Sequence, residues 1–313
     1  MRLILMGQQA FGKACLESII NKGEDDVVAV YCAQDMEGKL LDPLKEYALD
    51  QRLPVVQPRN FKDSAVLDSM KAFNSDLCVM AFVTVFVPEE ALNIPTNGSI
   101  CFHPSLLPKH RGPSSINWAV ISGAQKTGLT VFWPNDGLDE GDILLQKEVD
   151  IGPEDTLGTV YFQKIFPIGV EAILESIELV RNGNAPRIKQ DESLATYESW
   201  CRHEQAEINW NNSLSEIHNL IRGCNPQPGA WTTLNGVVLK IYDCSTVDAE
   251  GNPGEIVQLS DEGFTVAVNN GGILVQRVRP DYDKKMAARE YVNHFSINKG
   301  TILGSGVLPN NYK

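Results

Sequence analysis

The stretch from residue 99 to residue 142, SICFHPSLLPKHRGPSSINWAVISGAQKTGLTVFWPNDGLDEGD, decides how the rest of the chain is read. Residues 100–102 form a short apolar strand with His103 at its end, where Pro104 and the polar run after it stop the ladder. A side chain at the C-terminal end of a strand faces the crevice in which open α/β sheets bind ligands. The chain then turns through Pro108, Gly112 and Pro113, reads as a helix over 114–122 and returns as an apolar strand over 129–133. That strand feeds a polar turn, 135–142, carrying Asp136, Asp139, Glu140 and Asp142. Two strands joined through a helix bring their ends together, so His103 is expected near one of these carboxylates. A His with a carboxylate partner can perform general acid–base chemistry near neutral pH. The bland alternative is a turn histidine beside a solvated Asp/Gly loop, and the residue pattern alone leaves both open.

Toward the N-terminus, strand and helix alternate. Residues 2–6 read as a buried-type strand, 13–21 as a helix, 27–31 as a strand and 43–51 as a helix. A short strand at 54–57, a helix at 65–74 and a strongly apolar strand at 77–83, ending near Pro88, follow. The pattern predicts an α/β class, a Rossmann-like, mostly parallel sheet with helices on both faces. The first turn, GQQAFG, lacks GxGxxG spacing and is read as a tight strand-to-helix turn, not a dinucleotide cradle. Beyond the polar turn, 157–182 carries Val160, Ile165, Ile168, Ala172, Ile173, Ile177 and Val180 at helical spacing, with Pro167 and Gly169 bending or splitting the helix. We read it as a core-packing element.

With 313 residues and 43% hydrophobic content, the chain has material for two domains with proper cores. A formal charge of −13 and no run of Lys and Arg count against a polyanionic partner such as tRNA, since nucleic-acid binding leaves a basic footprint. The seven cysteines show no CxxC pair and sit mostly in apolar runs, as in a reduced cytoplasmic protein. The five histidines are scattered without metal-ligand spacing, and no metal is expected. No signal peptide and no apolar run long enough to cross a bilayer are recognised, so no membrane partner is expected.

HPSLLPKHRG followed by DGLDEGD resembles the signature of the folate-dependent formyltransferase family, which includes methionyl-tRNA formyltransferases and glycinamide ribonucleotide formyltransferases. The resemblance implies that His103 and Asp139 are catalytic and that 10-formyltetrahydrofolate is the formyl donor. It also implies that the pterin ring lies between Phe82, Val83, Thr84, Val85, Phe86 and Val87 on one side and Asn135, Asp136, Gly137 and Leu138, up to Asp139, on the other, held mainly by backbone groups. Phe82 and Phe86 equally suit the end of a core strand. Transferases of the family carry an Asn two residues before the His, and here that position is Cys101. Asp142 is read as a structural turn residue.

Other segments resemble the hydrolase domain at the N-terminus of 10-formyltetrahydrofolate dehydrogenases: DMEGKLLDPL, AFVTVFVP, APRIKQDESLATYE, and INW followed by IHNLIRG. That domain has an apolar residue at the Asn position. In methionyl-tRNA formyltransferases the loop after the second strand is typically longer and basic, whereas here its only cation before the helix is Lys39. The dehydrogenases continue past the end of this chain into a carrier domain and an aldehyde dehydrogenase, so oxidation of the formyl group to carbon dioxide is not expected.

The organisation read from the sequence is a catalytic domain over 1–184, a polar, Pro-containing linker over 185–205 and a C-terminal domain over 206–313. The last has a helix at 213–222 and short strands at 230–234, 237–242, 254–259, 264–268 and 273–278, separated by Gly/Asn/Asp turns. This predicts a small β-barrel, OB-like, similar to the C-terminal barrel of the family. With few aromatics interleaved with cations, it is read as a lid or packing domain.

The implied reaction is hydrolysis of 10-formyltetrahydrofolate, or transfer of its formyl group to an amine such as an amino sugar or amino acid. A non-catalytic folate- or tRNA-binding role fits least with His103 and Asp139 both present. In this scheme Asp139 holds the useful tautomer of His103 and stabilises its cation, and His103 relays the proton. A Cys is only a weak hydrogen-bond donor where the transferases offer an amide, which favours water as the acceptor.

Overall fold

Leu3, Ile4, Leu5, Leu77, Val79 and Ile100 are all completely buried, as consecutive apolar residues must be in strands covered on both faces. The computed structural model, which describes residues 1–281 and 283–304, places them in a seven-stranded sheet. Its strands are β1 (Arg2–Gly7), β2 (Asp26–Cys32), β3 (Val55–Val56), β4 (Leu77–Ala81), β5 (Ser99–His103), β6 (Lys126–Phe132) and β7 (Ile143–Asp150), in the order β3-β2-β1-β4-β5-β6-β7. The pairings among β1 to β5 are parallel, and β6 runs antiparallel to β5 with Thr130 opposite His103 and Phe132 opposite Cys101. Strand order reverses at β1/β4, which opens a crevice at the strand ends. At that junction a Cβ on Gly7 would lie 2.2 Å from the Ala81 carbonyl oxygen, so only glycine lets the two strands close up.

The helices are α1 (Gln9–Lys22), α2 (Pro43–Asp50), α3 (Ser64–Ala72), α4 (Glu89–Leu92), α5 (Ser115–Ile121), α6 (Leu157–Thr159) and α7 (Phe166–Arg181). The DPL sequence starts α2 by a local rule. Asp42 caps Leu44 N–H at 2.9 Å, and Pro43 occupies the first turn, where its missing N–H costs nothing. Between α6 and α7 the helix widens into a π turn, Val160–Ile165, just before Pro167, which supplies no N–H to an α-helical ladder. The continuous run Leu157–Arg181 is long and apolar enough to cross a membrane by length and composition, which corrects the sequence reading that no such run exists. Its α7 part is a core helix: Ala172, Ile173, Ser176 and Ile177 are buried, while Lys22–Glu178, Lys147–Glu175 and Arg181–Glu24 ion pairs lie outside them.

Contacts divide the chain into two compact units, each built from three separated segments. The first comprises Met1–Gly112, Gly128–Val149 and Phe162–Tyr197; the second comprises Pro113–Thr127, Asp150–Tyr161 and Glu198–Lys313. This partition differs from the expected 1–184, 185–205 and 206–313. Of the stretch read as a linker, 185–197 belongs to the first unit, where Ile188 pairs with Ile143, and 198–205 belongs to the second. Residues 305–313 of the expected C-terminal domain lie outside those described.

The second unit holds α5, α8 (Leu214–Gly223) and the remaining strands. Helix α5, within the stretch read as a helix over 114–122, packs on α8, with Asn117 Nδ2 donating to the Gly223 carbonyl at 2.9 Å. The strands are β8 (Ala230–Leu234), β9 (Val237–Ile241), β10 (Cys244–Val247), β11 (Ile256–Leu259), β12 (Phe264–Val268), β13 (Gly271–Val275), β14 (Arg277–Pro280) and β15 (Met286–Ala287), followed by α9 (Ala288–His294). They form two four-stranded sheets, β10-β13-β12-β11 and β15-β14-β9-β8, around one core that includes Trp231, Ile241, Phe264 and Val275. The run expected as one strand over 273–278 breaks at Gln276 and serves both sheets.

Candidate active site

His103 ends β5 on the same side of the pleat as Cys101, while Ile100 and Phe102 point to the other, where Phe102 packs on Phe11 at 4.4 Å between ring centroids. The loop after His103 is tied down by its own residues. Ser105 N–H donates to the His103 carbonyl at 2.9 Å, Ser105 Oγ donates to the Lys109 carbonyl at 2.7 Å, and Thr130 Oγ1 donates to the Ser105 carbonyl at 2.7 Å. This folding returns His110 to the ring: His103 Nε2 donates to the His110 carbonyl at 2.8 Å.

A carbonyl can only accept, so Nε2 carries the proton of the neutral ring. Nδ1 then holds the lone pair and faces Asp139 Oδ2 at 3.5 Å. Asp139 Oδ2 in turn accepts from Gly112 N–H at 2.8 Å. The structure therefore brings His103 and Asp139 together, with one correction: His110, not Asp139, holds the tautomer. Both atoms beside the ring nitrogens are acceptors, an arrangement that the doubly protonated ring satisfies at both ends.

Asp139 sits in the left-handed region at φ +56, within a loop closed by Trp133 N–H donating to the Asp142 carbonyl at 2.9 Å. That bond is the turn role read for Asp142. The close return also explains Gly141, where a Cβ would lie 1.7 Å from the Trp133 carbonyl oxygen.

The two segments expected to flank a pterin belong to the same unit and are tied together, since Glu89 N–H donates to Asp136 Oδ1 at 3.0 Å. Asn135 Oδ1 accepts from Gly137 N–H at 3.0 Å and makes the turn between them. Phe82, Val85, Phe86 and Leu138 are all exposed by about half, whereas Val87 is buried and Val83 packs on the core. Exposed apolar side chains of this kind are what a flat aromatic ring can pack on. Thr84 Oγ1 accepts from Gln8 Nε2 at 3.1 Å, and a cavity of about 200 Å³ extends from Phe82 and Val85 to Gln8, Gln34 and Arg59.

Cys101 lies against the core cluster containing Met6 and Met80, with Sγ 3.7 Å from the Phe102 carbonyl. Burial first, and the Asp139 carboxylate second, push its thiol well above the ordinary value, so it is neutral near pH 7.

Sequence reasoning missed a set of residues here. Arg111 is completely buried, and its guanidinium donates to Gln190 Oε1 and, through two parallel bonds of 2.9 and 2.7 Å, to Glu192. It also bonds Tyr197, whose hydroxyl donates to Glu140 Oε1 at 2.8 Å. Gln190 Nε2 donates to the main-chain carbonyls of Asp139 and Gly141. The available signal was the polar run QDESLATYE, which we read as linker.

Comparison with known proteins supports the same family. A formyl transferase family model matches residues 1–176, and a formyl transferase C-terminal domain model matches 201–296. The chain is 38% identical to mitochondrial 10-formyltetrahydrofolate dehydrogenase of Homo sapiens over 97% of its own length, and it spans about a third, 34%, of that relative. It is 36% identical to methionyl-tRNA formyltransferase of Syntrophus aciditrophicus (strain SB), covering 96% of this chain and 98% of the relative. The fold is shared with HypX from Aquifex aeolicus in complex with tetrahydrofolic acid, with a TM-score of 0.69, 17% identity and coverage of 94% of this chain and 47% of that one.

Proposed function

Because the chain belongs to the formyl transferase family, we propose that it acts on 10-formyltetrahydrofolate and that its principal reaction is hydrolysis to tetrahydrofolate and formate. The observation that carries the choice of water is Cys101. It shares the His103 side of β5, its thiol is neutral, and it packs against the core, so that position offers only a weak donor where transferases of the family offer an amide.

In this reading the pterin rests on Phe82, Phe86 and Leu138, with backbone groups of 82–87 and 135–139 binding its edge. Water attacks the formyl carbon, a C–O bond forms, and the water proton passes to His103 Nδ1. The tetrahedral intermediate collapses as the C–N bond breaks, the same proton goes from Nδ1 to N10 of the departing folate, and the formic acid formed loses its remaining proton to solvent as formate. His110 and Asp139 accept from the two N–H groups of the transient imidazolium, and Asp139 offsets its charge. His103 and Asp139 are the catalytic residues of this scheme.

The test is incubation with 10-formyltetrahydrofolate, with and without candidate amines. Formate release that needs no amine supports hydrolysis, and release only in the presence of an amine rejects it. A second reading, transfer to a small amine or to methionyl-tRNA, is favoured by the end-to-end match with a methionyl-tRNA formyltransferase. The same assay would reveal it as a formylated acceptor.

A further inference from the structure

We propose that Gln190 is a positioning residue for the His103–Asp139 pair, its amide holding the main chain of Asp139 in the conformation that aims the carboxylate at the ring. The inference rests on the reading of that pair as catalytic.

Asp139 adopts φ +56, a region in which side chains other than glycine are uncommon, so the surrounding structure must hold it there. Gln190 Nε2 supplies that hold from residues far along the chain, donating to Asp139 O at 2.8 Å and Gly141 O at 2.7 Å. Its two amide hydrogens thus fix the carbonyls on either side of Glu140. The orientation of the amide is not arbitrary. Two carbonyls can only accept and a guanidinium can only donate, so Nε2 must face the loop and Oε1 must face Arg111, from which it accepts at 3.2 Å from Nε and 2.8 Å from Nη2.

Arg111 is anchored in its own right by Glu192 and Tyr197, so Gln190 hangs from a fixed point. The neighbours of Arg111 touch the same pair through their backbones: His110 O accepts from His103 Nε2, and Gly112 N–H donates to Asp139 Oδ2. One short segment therefore controls the ring, the carboxylate and, through Gln190, the backbone beneath the carboxylate.

The discriminating variant is Gln190→Glu assayed at pH 8. It keeps the size and the acceptor for Arg111, removes both donors and sets a carboxylate oxygen against two carbonyls. Formate release from 10-formyltetrahydrofolate, or formyl transfer if an amine proves necessary, is expected to lose at least ~10-fold in kcat. In an Asp139→Asn background the same change should cost less than ~2-fold, because the group it positions is already gone. Multiplicative losses in the double variant would indicate a general structural role and overturn the proposal. So would a Gln190→Glu protein with kcat within ~2-fold of the parent while Asp139→Asn loses ~100-fold. Full activity in Asp139→Asn is a different failure: it removes the catalytic reading itself and leaves Gln190 nothing to position. Circular dichroism and melting temperature establish folding, and Gln190→Met, neutral and lacking the donors, replaces Gln190→Glu where the added charge prevents it. If neither folds, the hold belongs to the fold and not to the site, and the proposal is rejected.

Discussion

The imidazole of His103 presents Nδ1 to Asp139 Oδ2 across 3.5 Å, longer than a formed hydrogen bond and within the range at which catalytic pairs wait for substrate. Each side chain has its own main-chain partner on the segment 110–112, His103 the His110 carbonyl and Asp139 the Gly112 N–H. In the proposed mechanism the two act as one acid–base unit. His103→Ala and Asp139→Ala are each expected to lower turnover by ~100-fold or more, and the double variant should be little worse than either single. Near-parental turnover in either single variant would remove that residue from the mechanism.

Cys101→Asn tests what decides between water and amine. An amide beside His103 could hydrogen-bond the formyl oxygen and raise transfer relative to hydrolysis, by up to roughly 3–4 kcal/mol for one oxyanion donor. Because Cys101 packs on the cluster around Met6 and Met80, burying an amide there unpaired costs roughly 1–3 kcal/mol of stability. The product ratio and melting temperature of this variant are read together. A lower melting temperature with an unchanged ratio shows that the choice of acceptor is not made at residue 101.

Initiator tRNA is expected to bind weakly and with a shallow salt dependence. The formal charge is −13, and the loop after β2 carries Lys39 alone before α2, while Lys45 within α2 is paired with Asp35. Binding measured between 50 and 200 mM salt checks this. Sub-micromolar affinity at physiological salt, with formylation of the charged tRNA, would establish the transferase reading instead.

Alkaline pH should destabilise the fold once thiols of the unfolded chain begin to ionise near pH 9. Burial pushes Cys32 up to about 11 and Cys78 and Cys244 to about 12, with Cys15 and Cys101 also raised, from an ordinary value near 9. Raised thiols stay neutral in the folded protein while the unfolded chain ionises. Their contribution is therefore whole below pH 9 and is lost progressively as pH rises through 11 to 12. Melting under reducing conditions from pH 8 to 10.5 should show a falling melting temperature; a flat profile contradicts it.

Reading the sequence located His103 at a strand end and Asp139 in a turn because both follow from local patterns, a stopped apolar run and a Gly/Asp cluster. Strand β7 is hard to see in the sequence because Ile143–Asp150 alternates only in part and follows directly on the acidic turn. The break at Gln276 and the placement of α5 against α8 depend on pairings with distant segments, to which periodicity is blind. The Arg111–Gln190 contact joins residues 79 positions apart, and nothing local distinguishes a Gln that grips a loop from one in a solvated linker. That the His110 carbonyl holds the ring is illegible for the same reason: it comes from a loop whose return path depends on Thr130 beneath it.

Because each compact unit draws on three separated segments, no single cut of the chain can release either one whole. A fragment ending at residue 197 would keep α5 but lose α8, uncovering the side of α5 that carries Asn117, Trp118 and Ile121, which packs on Gly223 and the core around Ile217 and Ile221 in the intact protein. On the ribosome, α5 emerges long before the segment it packs against, so it must wait with its apolar face open. Hence shortening the protein to an isolated catalytic piece should yield aggregates, whereas refolding the full chain from denaturant should recover both units in one transition. A soluble, monomeric 1–197 fragment would show that α5 can manage alone.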